Sequence, residues 1–342
     1  MHCLGQQRKT VSWLEAGKVN NSSKAPFFSP SEGGSSEPGC RPSFLFFSLF
    51  KAILRYRRKR VYIILAAVIF STMEIASKTV AADINPFQLN FIRFLIGGVI
   101  LLPTSMQVIN RKNIELNRND CIYFIATGFL GIVISMSFFQ FAILYTMAST
   151  VAIIFSANPT FTTPIAYFLL NEKINKKVML SLAVSLLGVF FILNPFGIHT
   201  DMKGIILAIL AAITFAVYSV VSKMRVERYG CVVSTCFSFL AGDIILLVLM
   251  LISHLPLFAT YQQGNITPLL VDIPIISGIN YSNIAVLIYL GVVVSGLGFL
   301  FYFMAMEKSS ASVASIVFFI KPALAPLFCL LILRKLLLRT LL

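Results

Sequence analysis

The stretch from Cys121 to Asn171 contains no Asp, Glu, Lys, Arg or His in 51 residues. A single helix of that length would extend about 75 Å, more than twice the ~30 Å hydrocarbon core of a bilayer. Backbone in lipid has no water to bond with, so a segment of this kind must satisfy its own hydrogen bonds as helix. We therefore predict two membrane-spanning helices joined by a tight turn near Thr146–Ser149.

Composition places most of the chain in lipid. Of its 342 residues, 58% are hydrophobic and 12% are charged, which is about half the charged share of soluble proteins. These values exclude a disordered regulator and argue against a soluble enzyme. The formal net charge is +15, but the basic residues lie at the ends of apolar runs and form no nucleic-acid-binding face. We predict an all-α polytopic membrane protein that has the lipid bilayer, and no nucleic acid, as a partner.

Charged residues interrupt the apolar sequence at the spacing that transmembrane helices require, since about 20 apolar residues cross a bilayer. This spacing predicts nine transmembrane helices. They cover residues 61–80, 86–104, 120–144, 148–170, 178–196, 204–222, 231–252, 284–306 and 311–333.

The N-terminal part differs from the rest. Residues 1–50 lack a continuous apolar span and are rich in Gly, Pro and Ser, which predicts a disordered or poorly structured extension. Residues 51–60 include six Lys or Arg. We interpret them as a basic cytoplasmic anchor that orients the first helix. A lipid-binding or nucleic-acid-binding patch is the alternative interpretation of this segment.

The distribution of Lys and Arg predicts the orientation of the chain. Sixteen of these residues lie in the basic anchor and in alternate loops, against one, Lys203, in the opposite set of loops. Lys78 lies at a helix end, where its ammonium can reach outward. Because cytoplasmic loops carry the excess of Lys and Arg, we expect the N-terminus in the cytoplasm. The segment 253–283 is then external. The expected location is the plasma or inner membrane.

Two pairs of segments repeat along the chain. Arg93–Leu102 and Ser238–Leu247 share six of ten residues at an offset of 145, and Lys78 has a counterpart in Lys223 at the same offset. Ala148–Pro159 and Ala311–Pro322 share five of twelve residues at an offset of 163. An insertion in the 253–283 loop accounts for the difference between the two offsets.

The repeat predicts two copies of a five-helix unit, over residues 61–198 and 203–342. Because five is odd, the second copy begins on the opposite side of the membrane from the first. Inverted repeats of this kind build secondary transporters, with a substrate site between the two halves near the bilayer midplane.

Three motifs resemble the EamA family of the drug/metabolite transporter superfamily. They are Phe-Ile-Arg-Phe-Leu around Arg93, Ala157-Asn-Pro159 followed by Leu170-Asn-Glu-Lys-Ile174, and Lys321-Pro-Ala-Leu-Ala-Pro326. The resemblance implies ten helices in two inverted repeats around a polar cavity. It also implies a secondary transporter, an exporter of small metabolites such as amino acids or related amphipathic compounds. A coupled proton is expected, no enzymatic activity is expected, and the oligomeric state is left open.

The chain departs from this pattern at its C-terminal end. Glu172 follows Pro159 by 13 residues, whereas the same step from Pro322 reaches Lys335. Seven residues follow Lys335, so we expect the tenth helix to be missing and the second repeat to be truncated. A non-transporting remnant is therefore an alternative. A membrane enzyme is another, but it would need clustered His, Asp or Glu facing one membrane surface.

Four ionisable residues lie within predicted helices, where each charge costs about 2.5–3.5 kcal/mol at the bilayer centre. Glu74 is expected to bind a substrate amine or a proton, or else to pair with Lys78 one turn away. Arg93 is expected to bind an anionic group of the substrate or to pair with Glu74. Asp243 replaces a glycine of the first copy, and Lys321 precedes a proline. We predict that all four surround one cavity.

Other residues are weaker candidates. Gln140 and Asn158 are uncharged candidates for the same cavity, although hydrogen bonding to neighbouring helices is an equally ordinary role. The 31 Phe residues are expected mainly to face lipid. No metal-ligand cluster or nucleotide-binding loop is recognised, so neither metal nor cofactor is expected. Four prolines remove helix hydrogen bonds and are expected to kink helices beside the cavity: Pro159, Pro164, Pro322 and Pro326.

Overall fold

A computed structural model describes residues 59–173, 179–180, 182–184, 186–188, 202–255, 271–322 and 324. The regular elements in these ranges are all helical, as predicted. They are α1 (Lys59–Ser71), α2 (Met73–Val80), α3 (Pro86–Lys112), α4 (Arg118–Gly128), α5 (Met136–Tyr145), α6 (Ala148–Ser156), α7 (Asn158–Leu170), α8 (Met202–Tyr229), α9 (Cys231–Ser253), α10 (Tyr281–Tyr289), α11 (Phe299–Glu307) and α12 (Ala311–Ala314). Two π-helical segments, Phe129–Ser135 and Leu290–Gly298, join α4 to α5 and α10 to α11.

Seven helical units within the described ranges are long and apolar enough to cross a membrane. They match the predicted helices one to four and six to eight, and are Arg60–Val80, Pro86–Lys112, Arg118–Tyr145, Ala148–Leu170, Met202–Tyr229, Cys231–Ser253 and Tyr281–Glu307. A shorter apolar helix, Ala311–Pro322, begins where the ninth is predicted. Outside the described residues lie the N-terminal extension, residues 51–58, most of the predicted fifth helix and the chain after residue 324. The count of nine helices and the missing tenth therefore stay predictions.

The predicted hairpin within the uncharged stretch is confirmed. α5 ends at Tyr145 and α6 begins at Ala148, so Thr146 and Met147 make the turn. The first residues of α8 lie against this turn, because a Cβ atom on Gly204 would be 2.7 Å from the Cβ of Thr146. The end of the third span and the start of the sixth therefore meet at one end of the bundle.

The prolines occupy different places relative to the helix breaks. The fourth span is interrupted at Ala157, and α7 begins with Asn158 and Pro159, where the missing N–H of proline costs no hydrogen bond. Pro164 lies inside α7. Pro322 is the last residue of the described helix Ala311–Pro322, and Pro326 lies outside the described residues.

Two lysines make equivalent contacts in the two halves of the chain. Lys78 Nζ donates to the carbonyls of Ile143 at 2.6 Å and Thr146 at 2.9 Å, which end α5. Lys223 Nζ donates to the carbonyls of Met306 and Ser309, both at 2.8 Å, at the end of α11. The two lysines are 145 residues apart and the carbonyls are 163 residues apart, which are the two offsets of the sequence repeat.

The Lys78 and Lys223 contacts lie at opposite ends of the bundle. The Lys78 contact is at the Thr146 turn, beside the start of α8. The Lys223 contact is near the end of α8, where Arg225 and Arg228 approach the buried Asp120 carboxylate at 3.1 and 3.5 Å. Because Asp120 begins the third span and Thr146 ends it, the third and sixth spans run antiparallel. Each lysine contact therefore joins helices at a different membrane face.

The Asp120 carboxylate organises the end of the bundle that carries the Lys223 contact. Besides the two arginines, it accepts hydrogen bonds from the Tyr229 hydroxyl and from the Asn117 backbone N–H, the latter at 2.9 Å. Asn117 and Asp120 form a capping box at the start of α4, which satisfies backbone N–H groups that a helix leaves free. This cluster joins the third span to the sixth across the two halves.

Glycines allow close backbone approach between the halves. A Cβ atom on Gly97 in α3 would lie 3.2 Å from Ser295 in the second π-helical segment, and one on Gly242 in α9 would lie 2.7 Å from Ile132 in the first. These two contacts are also related by the offsets of 145 and 163. The second span of each half therefore packs against the third span of the other.

Adding a methyl group at Gly128 is expected to destabilise this packing. Its Cβ would lie 2.5 Å from both the Gly242 nitrogen and the Ser238 oxygen, which are backbone atoms that cannot rotate away. We expect Gly128→Ala to lower the free energy of unfolding by about 1–3 kcal/mol, the usual cost of overpacking. Thermal unfolding in detergent measures this loss. Gly188→Ala is the matched control, because no described atom lies within 4 Å of its Cβ; equal effects of both substitutions would contradict the close approach.

Candidate functional site

All six polar residues predicted for the cavity are buried within the bundle. Each exposes 2% or less of its surface: Glu74, Arg93, Gln140, Asn158, Asp243 and Lys321. Ionisable side chains are costly in hydrocarbon, and neighbouring helices shield these from it. The structure brings Glu74, Arg93, Gln140 and Lys321 into one neighbourhood, which we call the central cluster.

A buried ion pair forms the core of the central cluster. Lys321, in the last described helix, donates from Nζ to Oε1 of Glu74 on α2. The two residues are 247 positions apart, and both side chains are 3% exposed or less. The expected pairing of Glu74 with Lys78 is wrong: Lys78 is exposed at the end of the span and binds the carbonyls that end α5. The last carbonyls of a helix have no partner within the helix, and a nearby lysine satisfies them.

Arg93 lies next to this pair. Its Nε donates to the Ser295 hydroxyl at 3.2 Å, and its Nη2 contacts the sulfur of Met136 at 3.6 Å. Its guanidinium carbon lies 4.5 Å from the centre of the Phe94 ring. Nη2 also lies 4.0 Å from the sulfur of Met73, the residue before Glu74, but Lys321 holds the direct contact with the Glu74 carboxylate. Nη1 of Arg93 is buried without a hydrogen-bond partner among the described residues.

The ammonium of Lys321 is surrounded by aromatic rings. It lies 5.9, 5.6 and 5.7 Å from the ring centres of Phe70, Phe155 and Phe318, which we call the aromatic cage. All three rings are 2% exposed. The expectation that the phenylalanines mainly face lipid is wrong for this group and for the neighbouring buried rings of Phe94, Phe139, Phe215, Phe239 and Phe299. Composition does not distinguish the two locations, because lipid and protein core are equally apolar.

The two uncharged candidates bind neighbouring helices. Gln140 on α5 donates to the Ser77 hydroxyl at 3.5 Å, one turn beyond Glu74. Asn158 donates to the Ala212 carbonyl at 2.8 Å and accepts from the Thr162 hydroxyl at 2.9 Å. Asn158 therefore links the fourth span to the sixth.

Asp243 makes no described hydrogen bond or ion pair with the central cluster. Its side chain is 2% exposed, and neither carboxylate oxygen has a hydrogen-bond partner among the described residues. Gly98 on α3 is its counterpart in the first half. It makes room for Leu240, a side chain of α9, because a Cβ on Gly98 would lie 2.9 Å from Leu240. The expectation that all four charges surround one cavity stays a prediction: Glu74 and Lys321 form an ion pair, and Asp243 is buried on α9 without a described ion-pair partner.

Each member of the Glu74–Lys321 pair has an uncharged counterpart in the other half of the chain. At the offsets of the repeat, the counterparts of Glu74 and Lys321 are Ser219 and Asn158. Ser219 accepts a hydrogen bond from the Tyr302 hydroxyl at 3.1 Å. With Arg93 added, the central cluster has two cations and one anion, so its charged form favours a ligand group with a negative charge. Among the described residues, no group of three or more His, Cys, Asp or Glu has the arrangement of a metal site.

Sequence reasoning missed the residues that complete the central cluster. Ser77, Ser295 and Met136 are ordinary members of apolar helices in the sequence, and their contacts with Gln140 and Arg93 depend on packing between spans. Phe155 and Phe318 could have been found from the repeat, because they are related by the offset of 163. Each lies three positions before a polar residue and four positions before a proline.

Comparison with known proteins places this architecture among transporters. A sequence model of the EamA-like transporter family matches residues 59–194 and again 202–341. An uncharacterized transporter of Clostridium kluyveri is 41% identical over 281 residues, covering 80% of this chain and 85% of that protein. An S-adenosylmethionine uptake transporter of Rickettsia prowazekii is 27% identical over 179 residues, covering 52% of this chain and 58% of that protein.

A solved crystal structure has the same fold. It aligns with a TM-score of 0.56 at 17% sequence identity, covering 80% of this chain and 87% of that chain. The family match covers most of the chain in two consecutive copies, and the Clostridium relative is similar across nearly its full length. The chain is a multi-pass membrane protein and belongs to the EamA-like transporter family.

Proposed function

We propose that the protein is a secondary transporter that exports small amphipathic metabolites, such as amino acids and related compounds, across the plasma or inner membrane. The observation that carries this proposal is the buried guanidinium of Arg93, which has one unpartnered nitrogen beside the Glu74–Lys321 pair. An arginine in an apolar bundle binds a carboxylate well, because its N–H groups match carboxylate geometry. A zwitterion can present its carboxylate to Arg93 and its cationic group to Glu74.

The inverted arrangement supports transport by alternating access. The Lys78 and Lys223 contacts join helices at opposite ends of the bundle, and the central cluster lies between them, buried from both ends. In an inverted-repeat carrier, the halves rock around such a site and open it to each side in turn. Both contacts are present together here, which corresponds to a closed arrangement.

The distribution of charge supports an orientation with the N-terminus in the cytoplasm. Arg225 and Arg228 gather at the end that carries the Lys223 contact, and Lys112 lies at the same end, 3.6 Å from a Cβ built on Gly230. We propose that this end is cytoplasmic, because Lys and Arg concentrate on that side. The end with the Lys78 contact is then external.

The exchange of labelled amino acids by the purified protein in liposomes tests the proposed function. We expect Arg93→Gln to lower the rate about tenfold, because a hydrogen bond between charged groups contributes about 1.5–3 kcal/mol. Arg111→Gln, an exposed arginine in the same helix, is the matched control and should keep its activity. S-adenosylmethionine is included as a substrate because the Rickettsia relative is named for its uptake. Loaded everted and right-side-out vesicles distinguish export from uptake, and no exchange of any tested metabolite would contradict the proposal.

Asp243 is proposed as the residue that carries a coupled proton. An ionised carboxylate buried without hydrogen bonds costs several kcal/mol, so the carboxylate is expected to hold a proton in the closed arrangement and release it when the bundle opens. We expect Asp243→Asn to abolish the stimulation of flux by a proton gradient while substrate exchange without a gradient continues. Flux measured with and without an imposed gradient makes this comparison. Asp272→Asn is the control, since that side chain is 79% exposed, and unchanged gradient dependence in Asp243→Asn would exclude the role.

A further inference from the structure

The aromatic cage surrounds a cation that belongs to the protein itself. Phe70 lies in the first span, Phe155 in the fourth, and Phe318 in the shorter helix Ala311–Pro322, so the cage is built from both halves of the chain. Phe70 and Phe318 are stacked with ring centres 5.9 Å apart, and Phe155 meets Phe318 edge-on at 5.3 Å. Three aromatic faces and one carboxylate make the arrangement that recognises organic cations in proteins.

The ammonium of Lys321 uses this arrangement incompletely. A lysine ammonium carries three N–H donors, and within the described part of the chain Glu74 supplies its one hydrogen-bond acceptor. The remaining N–H groups face aromatic rings, which are weaker acceptors than oxygen. A quaternary ammonium or a sulfonium group has no N–H donor to satisfy. Such a group matches a cage of three rings and one carboxylate better than the lysine does.

We propose that the aromatic cage and Glu74 form the binding site for an onium head group of the substrate, and that Lys321 occupies this site while it is empty. Binding then exchanges one cation for another at Glu74, so the buried carboxylate keeps a cationic partner. Lys321 swings away from the carboxylate as the substrate enters. The inference rests on the proposed transport function, because it assigns the cationic half of the substrate whose carboxylate Arg93 binds.

Choline is the probe, because it carries a trimethylammonium group and no carboxylate, so that Arg93 does not contribute to its binding. Lys321→Ala removes the resident cation and the side-chain atoms that lie within the aromatic cage. We expect choline to raise the unfolding temperature of Lys321→Ala in detergent. We also expect that variant to bind choline about tenfold or more tightly than wild type, because cation–π contacts are strongest where water is excluded. The uncharged carbon analogue of choline should have no effect.

Two variants serve as matched controls. Lys321→Met fills the space of the lysine with an uncharged chain, and Glu74→Gln combined with Lys321→Ala removes the carboxylate. Neither should respond to choline. If Lys321→Ala unfolds on solubilisation, the amount of folded protein is measured after purification with choline and compared with the amount obtained without it. No recovery and no binding in Lys321→Ala, while the double variant folds, would overturn the proposal.

The binding assay separates this inference from the proposed function. If Lys321→Ala binds choline and the wild type transports none of the tested metabolites, the onium site is supported and the transport proposal is contradicted. Transport of amino acids by wild type, together with no choline binding by Lys321→Ala, would leave transport standing and exclude the onium site.

Discussion

Breaking the Glu74–Lys321 pair is expected to destabilise the protein more than any other single substitution within the central cluster. Lys321→Met leaves the Glu74 carboxylate buried without its partner, and Glu74→Gln leaves the ammonium in the same state. Removing one member of a buried ion pair costs about 3–5 kcal/mol. We expect each variant to lose that much free energy of unfolding, measured by denaturation in detergent.

The double variant tests whether the loss comes from the pair itself. Glu74→Gln with Lys321→Met removes both charges, and replacing both members of a buried pair is often nearly neutral. We therefore expect the double variant to be more stable than either single variant. Glu115→Gln and Lys203→Met are controls, since both residues are exposed. If the two losses simply add in the double variant, the pair does not couple the two helices.

Removing either lysine contact is expected to open the bundle at one end. Lys78→Met loses three hydrogen bonds to carbonyls at the end proposed as external, and Lys223→Met loses at least two at the other end. Charged hydrogen bonds of this kind contribute about 1.5 kcal/mol or more each, but Lys78 is exposed and its share is reduced by solvent. We expect each substitution to shift the balance between the two open forms about tenfold, in opposite directions.

A cysteine placed at Ser137 reports this shift. Ser137 is 4% exposed and bonds to Asn90 near the middle of the third span, so a thiol there reacts only when the bundle opens. An impermeant thiol reagent added outside should label it faster in Lys78→Met and more slowly in Lys223→Met. The ratio between the two variants is expected to reach about a hundredfold, the product of two opposite tenfold shifts. Labelling that rises equally in both variants would mean general loosening and would contradict the assignment of the contacts to opposite faces.

Sequence alone predicts the spans well, because the hydrocarbon thickness fixes their length and the charges mark their ends. The cost of charge in lipid also predicts correctly that Glu74, Arg93, Asp243 and Lys321 are buried. The partners within the site could not be predicted in this way. Glu74 and Lys321 meet across 247 residues, and which helix faces meet depends on packing that hydropathy does not encode.

The aromatic cage and the surroundings of Asp243 illustrate the same limit. A phenylalanine in a membrane helix is compatible with lipid and with the bundle interior, so the sequence leaves Phe70 and Phe318 unassigned. Asp243 is predicted to be buried by its charge, but its sequence position does not indicate that its carboxylate lacks a hydrogen-bond partner among the described residues. The free-energy cost of placing a charge in lipid predicts that the charge is shielded, but it does not predict which residues shield it.

The two π-helical segments bear on how the two halves are held against each other. They occupy Phe129–Ser135 and Leu290–Gly298, and at the offset of 163 residues the first corresponds to positions 292–298, inside the second. A π-helical turn has i→i+5 hydrogen bonds and is wider than an α-helical turn. Ile132 and Ser295, which Gly242 and Gly97 approach, lie within these segments. Each half therefore presents its widened turn at the level where the second span of the other half makes its closest backbone contact.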